Sequence, residues 1–322
     1  MPRYRSDVHV DQALTNISAA YFQRSSFVGK VLFPTVAVEK DSFKYFTYGR
    51  QVFGDGNTSL EWADGSDPPE ISNERSTESG LCKQYGGADF VTDSELRNQD
   101  APLNAFADVT EELTERMALE HEKQCATKAT TSGNYPAGSV ASLGASAKWD
   151  VVATSDPIGD IQTGIDVIRR GIGGDGARDI VLVAGPAAHK NLMNHPDIID
   201  FMKRTAGVLP SNADMAGLFA SLGITRYAVG GGIKNTAHEG ATESISDIWG
   251  DNVILAHVPS GPSIRRAAYG YTFQSVQARV EREPRRNHAV KLIASATWDI
   301  EFVSRDASGD SLAGYLIPTT ST

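Results

Sequence analysis

The feature that most constrains the fold is a long run of alternating residues near the C-terminus, HAVKLIASATWDIEFV (288–303). Its apolar residues share one parity, from Val290 through Trp298 to Phe302, and most residues of the other parity are polar. Alternation with a period of two predicts a β-strand with one buried face. Because a strand extends by about 3.3 Å per residue, this strand is much longer than the roughly 17–20 Å of an ordinary one.

A second strand is predicted just before it, so that the two form a long hairpin. The segment YGYTFQSVQARVE (269–281) has strand character, although its apolar parity slips between Phe273 and Val276. The connection EREPRRNH (281–288) carries both signs of charge, and Pro284 is expected to prevent ladder pairing there. Such a tip is either a soluble turn or a junction at which copies pair Arg with Glu around an axis, and we favour the junction. The tip residues expected to contact other subunits are Arg282, Glu283, Arg285 and Arg286.

Length and charge limit the classes of function. The 322 residues allow one large domain or two ordinary ones, and the formal net charge of −10 argues against a basic face that wraps nucleic acid. An acidic lining could still enclose DNA, because it would repel phosphate and leave the DNA free to move. The N-terminus is mildly basic, since its only acids before Glu39 are Asp7 and Asp11. Arg3 and Arg5 are therefore candidates for an inner-surface or arm contact, and a solvated tail explains them equally well.

The two cysteines, Cys82 and Cys125, predict a reducing compartment and no disulfide framework. The chain shows no signal peptide and no apolar run of membrane-spanning length, so we expect no membrane association.

The first part of the chain is predicted to be extended rather than globular. Residues 1–30 form an arm with one short helix around 11–22, and residues 30–48 form paired extended segments, the first confined to an edge by Pro34. The stretch 49–87 is rich in Gly, Ser, Asp and Pro but contains more aromatic residues than a disordered linker. We therefore expect a protruding two-stranded loop that finds its core on another subunit. Its candidate contact residues are Arg50, Phe53, Trp62 and Arg75.

A long helix is predicted over 104–130, with Asp100 as its cap and Pro102 in its first turn. Apolar residues recur at helical spacing, which indicates core packing rather than a cofactor site. The apolar stripe comprises Phe106, Val109, Leu113, Met117 and Cys125, and the acidic residues placed opposite it are Glu111, Glu112, Glu115 and Glu122.

An α/β region follows a loop at 131–150. Asp156 and Pro157 predict the cap and first position of a helix with an isoleucine stripe, and strands and helices then alternate through 258. The chain returns afterwards to the long hairpin, so this α/β region is an insertion in an elongated domain.

The motifs that suggest chemistry lack their structural context. GIGGDG (171–176) has the spacing of a dinucleotide loop, but a helix precedes it and a strand follows it, so we expect a helix-terminating loop. The seven histidines lack metal-ligand spacing, and neither cysteine has a His partner nearby in sequence. The acidic pairs Glu111–Glu112 and Asp64–Asp67 fit a solvated helix face and a loop. The sequence therefore predicts no catalytic residue, no cofactor and no metal ligand.

The order of these elements resembles that of the major capsid proteins of tailed bacteriophages, which share the Hong Kong 97-like fold. The resemblance covers essentially the whole chain and depends on the order and spacing of blocks that are each only moderately specific. The blocks are GKVLFPTVAVEKDSFKYFTYGR (29–50), IVLVAGPAAHKNLMNHPDI (180–198), WGDNVILAHVPSGPS (249–263), GYTFQ (270–274), HAVKLIASATWDIEFVSRD (288–306) and AGYLI (313–317).

The resemblance implies an α+β fold built of five parts. These are an N-terminal arm (1–47), an extended β-hairpin loop (48–87), a peripheral domain (88–150) with a spine helix at about 102–130, an inserted α/β axial domain (151–261), and a return to the peripheral domain through the long hairpin and C-terminus (262–322). The extended loop would lie over a neighbour, and the tip 281–288 would lie where capsomers meet.

The implied function is that of a major capsid protein, with no catalysis. Copies would assemble as pentamers and hexamers of an icosahedral phage head in the host cytoplasm, and the head would enclose double-stranded DNA in the virion. Some members crosslink a loop lysine to a neighbour, but this chain has no lysine between Tyr45 and Cys82, so we expect no such bond. The short arm leads us to expect no removable scaffolding segment but a separate scaffolding protein, a portal and room for a decoration protein.

Two alternatives remain open at this point. The same fold would suit an encapsulin-like nanocompartment shell that encloses a cargo enzyme. More remotely, a soluble α/β enzyme could use 151–261 as its catalytic domain, although that would require a convergent polar site that the sequence does not show.

Overall fold

The structure is a computed structural model that describes residues 23–48, 61, 65, 67, 75–99, 104–174, 178–205, 212–237, 240–263, 266–285, 288–306 and 308–320. The helices are α1 (Gly29–Leu32), α2 (Asp93–Asn98), α3 (Ala105–Thr130), α4 (Pro157–Ile172), α5 (Pro186–Asn194), α6 (Pro196–Thr205) and α7 (Asn212–Ser221). The strands are β1 (Thr35–Ala37), β2 (Ser42–Tyr48), β3 (Arg75–Leu81), β4 (Lys83–Thr92), β5 (Ile180–Ala184), β6 (Ile224–Val229), β7 (Ile233–Asn235), β8 (Ile245–Asp247), β9 (Asn252–His257), β10 (Gly270–Arg285), β11 (Ala289–Phe302) and β12 (Gly314–Pro318).

The predicted long hairpin is confirmed and forms the centre of a four-stranded sheet, which we call the hairpin sheet. Its strand order is β1-β10-β11-β4, with β10 and β11 antiparallel. The even-numbered side chains of β11 from Leu292 to Phe302 are buried in one cluster with α3. Ser295 and Thr297 on the other face are buried as well, because β11 lies in the middle of the sheet.

The parity slip in β10 has a structural cause. The register against β11 shifts between Gln274 and Val276 and again between Val276 and Arg279. Each shift places an extra residue on β10, as in a β-bulge, and a bulge reverses which face the following side chains point to.

The expectation for Pro284 is wrong, since β10 continues through it and pairs Pro284 with Val290 and Arg285 with Ala289. The strand β1 pairs only with residues 272–274 of β10, so β10 is an edge strand at Pro284. An edge strand tolerates proline because no neighbour requires the missing N–H.

The helix α3 has the predicted extent but a different cap. It begins at Ala105, and the side chain of Asn104 accepts hydrogen bonds from the N–H groups of Phe106 and Ala107. Asp100 and Pro102, the predicted cap and first-turn residue, lie outside the described residues.

The inserted region forms a second four-stranded sheet, which we call the inserted sheet, with the order β12-β9-β5-β6. The helix α4 begins as predicted, with Asp156 capping Gly159 and Pro157 in the first turn, and Gly173 ends it with φ 94°. The C-terminal strand β12 was expected in the peripheral domain with the hairpin, but it pairs with β9 of the inserted sheet. Leu316 and Ile317, which lie on opposite faces of β12, are both buried, in two different hydrophobic clusters.

The extended segments at 30–48 are not paired with each other, which corrects the prediction. The first begins with the short helix α1 and continues as β1, an edge strand as expected, in the hairpin sheet. The second, β2, pairs along its length with β3, and we call this pair the ladder. A further two-stranded ribbon is formed by β7 and β8, which pair antiparallel.

Candidate functional site

A catalytic or metal site is not apparent in the part of the chain that the structure describes. Those residues contain no group of three or more His, Cys, Asp or Glu side chains able to hold a metal ion. None of the described helices is both long and apolar enough to cross a membrane.

The described pair most similar to a nucleophile with its base is Ser155 and His195, which sequence reasoning did not connect. The Ser155 hydroxyl lies 3.0 Å from His195 Nε2, and both residues are buried. The orienting carboxylate is not in place, because Asp197 lies 3.7 Å from His195 Nδ1 and is 66% exposed. His195 Nδ1 has no hydrogen-bond partner. A triad needs that bond to fix the imidazole, so this arrangement is unsuited to acyl transfer.

Cys125 does have a His partner in sequence, which corrects the prediction. His121 lies one turn earlier on α3, with Nδ1 3.7 Å from Cys125 Sγ. Burial raises the pKa of the Cys125 thiol well above its usual value, with the negative charge of Glu122 adding to the effect. A thiol held neutral in this way is not a nucleophile, so the pair is structural.

The tautomer of His121 follows from its neighbours. The Thr272 hydroxyl donates to the carbonyl of Phe33 at 3.1 Å and therefore accepts from His121 Nε2 at 3.1 Å. His121 Nδ1 is then an acceptor for the Cys125 thiol. Burial, together with the nearby Lys30 charge, lowers the pKa of His121 to about 4. The neutral ring thus joins α3 to β10 and to the segment before β1.

The central polar residue of this junction is Glu122, which the sequence placed on the solvated face of α3. That prediction is wrong, because Glu122 is only 1% exposed. Its Oε1 accepts hydrogen bonds from the Val28 N–H at 2.8 Å and the Trp249 indole at 2.7 Å, and its Oε2 accepts one from the Gly29 N–H at 2.8 Å.

Three donors offset much of the cost of burying this charge. Burial still raises the pKa of the Glu122 carboxyl, while its three hydrogen bonds and the Lys30 charge act in the opposite direction. The glycine is required at 29, since a Cβ there would lie 2.6 Å from Glu122 Oε2. One carboxylate therefore connects the helix α3, the segment that precedes β1 and the turn before β9.

A groove of about 270 Å³ runs beside Glu122, between α3, the segment before β1 and the hairpin sheet. Its lining is mainly apolar, from Phe27, Met117 and Trp298, with Lys30 and Arg24 at its basic positions. Arg24 is already paired with Glu115 at 3.0 Å.

The ladder is largely exposed. Its root packs on the second face of the hairpin sheet, where the rings of Phe43 and Phe273 lie 4.2 Å apart. Phe46 and Leu81 point away from this root and are 44% and 59% exposed. A two-stranded hairpin by itself is only marginally stable in water, and the described residues of this copy leave Phe46 and Leu81 exposed.

At the hairpin tip, two of the predicted contact residues are described with their side chains. Arg282 and Glu283 are exposed, and the Arg282 guanidinium lies 4.5 Å from the centre of the Phe106 ring of its own chain. Arg279 and Glu281 pair within the strand at 3.0 Å. The tip charges are thus partly engaged within one copy.

The other predicted contact residues are placed only by their backbone or not at all. Arg75 begins β3 opposite Tyr48, and Arg285 pairs with Ala289. The residues outside the described part of the chain are Arg3, Arg5, Arg50, Phe53, Trp62 and Arg286. The inter-subunit roles of all these residues stay predictions.

The chain is similar to several phage proteins. The sequence family described as phage capsid protein matches residues 83–292. The major capsid protein of Burkholderia phage BcepMu is 28% identical over 278 residues, which cover 82% of this chain and 83% of that protein. A crystal structure of a phage-related protein from Bordetella bronchiseptica has a TM-score of 0.69 at 25% identity and covers 96% of this chain and 97% of that one. The mature capsid of bacteriophage PhiM1 has a TM-score of 0.57 at 12% identity, with coverage of 96% and 89%.

Proposed function

Since the chain belongs to the phage capsid protein family and is therefore a structural component of a phage shell, we propose that its copies assemble as pentamers and hexamers of an icosahedral head that encloses double-stranded DNA. The observation that carries the proposal is the ladder. Its exposed Phe46 and Leu81 need a partner surface, and self-association supplies one in every copy.

In this proposal the hairpin sheet and α3 form the peripheral domain, and the inserted sheet forms the axial domain near the symmetry axes. The ladder carries the extended loop over a neighbouring copy within a capsomer. The tip around Arg282 and Glu283 meets its equivalents where capsomers join. Arg50, Phe53, Trp62, Arg75, Arg285 and Arg286 are the further residues proposed for these contacts, and Arg3 and Arg5 are proposed for the arm or the inner surface.

The net charge of −10 supports enclosure of DNA without sequence-specific binding. We further propose that assembly takes place in the host cytoplasm on a separate scaffolding protein, around a portal, and that a decoration protein binds the finished shell.

The test is cryo-electron microscopy of particles from infected cells, with their contents analysed after nuclease treatment. Icosahedral shells that protect double-stranded DNA are expected. Shells that contain a protein cargo and no DNA would instead indicate a nanocompartment shell. Absence of this chain from the shell would contradict the proposal.

A further inference from the structure

We propose that residues 23–29, which we call the strap, form a detachable element, and that release of the strap and loosening of the contact between α3 and the inserted sheet are one event. The effect on assembly rests on the proposed function. The coupling itself is a property of the single chain.

Two carboxylates of α3 hold the strap. Glu115 accepts hydrogen bonds from the N–H of Gln23 at 2.7 Å and from Arg24 Nε at 3.0 Å. Glu122 accepts from the N–H groups of Val28 and Gly29, each at 2.8 Å. The two acids are two turns apart on one side of the helix, so the strap runs along α3 between them.

The opposite side of the strap contacts the approach to β7. The Gln23 side chain accepts a hydrogen bond from the N–H of Ile233 at 2.7 Å. A Cβ at Gly232 would lie 3.2 Å from the Phe27 ring, so the strap and the segment that contains Gly232 are already in close contact. The strap therefore lies between the long helix and the inserted region.

Coupling arises because Glu122 Oε1 accepts hydrogen bonds from both the strap and the inserted region. The Val28 N–H and the Trp249 indole bind the same oxygen, at 2.8 Å and 2.7 Å. If the strap leaves, Glu122 loses two of its three donors and must find water. A carboxylate that moves to solvent also leaves the indole of Trp249, which is fully buried, without its acceptor.

Detachment is feasible because water can replace the strap as the hydrogen-bond donor to Glu122, so that its charge is not left buried and unpaired. The groove beside Glu122 gives water a route to the carboxylate once Phe27 withdraws with the strap. Within the strap only Val28 and Gly29 are buried, so little apolar surface is exposed when it leaves.

The experiment is hydrogen exchange on the unassembled full chain, followed by mass spectrometry for the strap and by NMR for the indole N–H of Trp249, which Trp249→Phe assigns. We expect the amides of Val28 and Gly29 to exchange at least tenfold faster than the slowest amides of β11, and the Trp249 indole to exchange at the same rate as the strap. Strap exchange as slow as global unfolding would overturn the proposal.

Two variants sharpen the test. Glu122→Gln places an amide NH₂ against donors that need acceptors, so strap and indole should both exchange at least tenfold faster. Glu120→Gln is the matched control, because Glu120 lies on the exposed side of α3 and pairs with Lys123 at 2.9 Å, and it should change neither rate. A faster strap with an unchanged indole would disprove the coupling.

Assembly is measured separately on the same proteins. We expect Glu122→Gln, but not Glu120→Gln, to lower the yield of closed shells at least tenfold. A normal shell yield from Glu122→Gln would show that release of the strap has no effect on assembly. If the wild-type chain formed no shells while the exchange results held, the proposed function would fail and the strap would stand.

Discussion

The indole N–H of Trp249 donates a 2.7 Å hydrogen bond to Glu122 Oε1, and this single bond joins the long helix α3 to the turn that precedes β9 of the inserted sheet. Both residues are buried at the boundary between the two sheets. A hydrogen bond to a charged group is worth about 1.5–3 kcal/mol, roughly twice a neutral one. The contact therefore contributes to the fixed relation between the two sheets.

Replacing Trp249 with Phe should lower the free energy of unfolding by about 2–3 kcal/mol, because Glu122 remains buried with one donor fewer. Trp298→Phe is the comparison variant, since the Trp298 indole donates to the neutral Gln124 side chain at 3.0 Å. This substitution should lower the free energy of unfolding by about 1 kcal/mol. Urea unfolding measures both. Equal losses in the two variants would show that the Glu122 charge adds nothing.

Gly29→Ala should destabilise the chain by roughly 1–3 kcal/mol, because the added methyl group would meet Glu122 Oε2 at 2.6 Å and Cys125 Sγ at 2.9 Å. Gly133→Ala is the matched control, since a Cβ there meets nothing within 4 Å. Thermal unfolding of the two variants checks the prediction. A Gly29→Ala protein as stable as the control would mean that the segment before β1 does not pack closely on α3.

The stability of the chain should fall as the pH drops from 6.5 to about 4, and His121 should account for part of the loss. Burial lowers the pKa of His121 from 6.5 to about 4. Between these two values the unfolded chain therefore binds a proton at His121 and the folded chain does not. The contribution is fully present above pH 6.5, and its loss on acidification is roughly 3 kcal/mol. Urea unfolding between pH 4 and 7 measures it.

The variant for this test is His121→Gln, which keeps a donor for Thr272 and removes the titrating ring. Its stability should depend less on pH in the same window. The raised pKa of Glu122 acts in the opposite direction, but both proteins carry Glu122, so their difference isolates His121. Parallel pH profiles for the two proteins would contradict the buried neutral imidazole.

The substitutions Phe46→Ser and Leu81→Ser should reduce assembly strongly while changing the free energy of unfolding of the unassembled chain by no more than about 0.5 kcal/mol. Both side chains are exposed on the ladder and point away from its packed root. Phe43→Ser serves as the contrast, because Phe43 packs on Phe273 and its loss should destabilise the chain itself. Shell yield and urea unfolding, measured together, separate the two effects.

The residues that were predicted well are those whose patterns are local. The alternation around Trp298 identified β11, because a period of two needs no knowledge of the partner strand. Asp156 and Pro157 identified the start of α4 in the same way, through capping and a fixed φ angle.

The residues that were missed depend on contacts distant in sequence. The position of β12 beside β9 follows from a pairing that no local pattern encodes. Glu122 was assigned to solvent by its charge, although Ala126 and Ala129 lie on the same buried side of α3. The available signal was the pair of small residues beside the acid, since small side chains on a helix leave room for another backbone to approach. The N–H groups of that backbone then need an acceptor such as the carboxylate.

The central claim is that the chain forms shells by self-association, and the most direct measurement is the mass and shape of the purified protein. Sedimentation velocity with negative-stain electron microscopy, in the presence and absence of the scaffolding protein, would give both. We predict closed shells, or pentamers and hexamers, for the wild-type chain. A monomer or dimer that persists at high concentration and with scaffold would contradict the account.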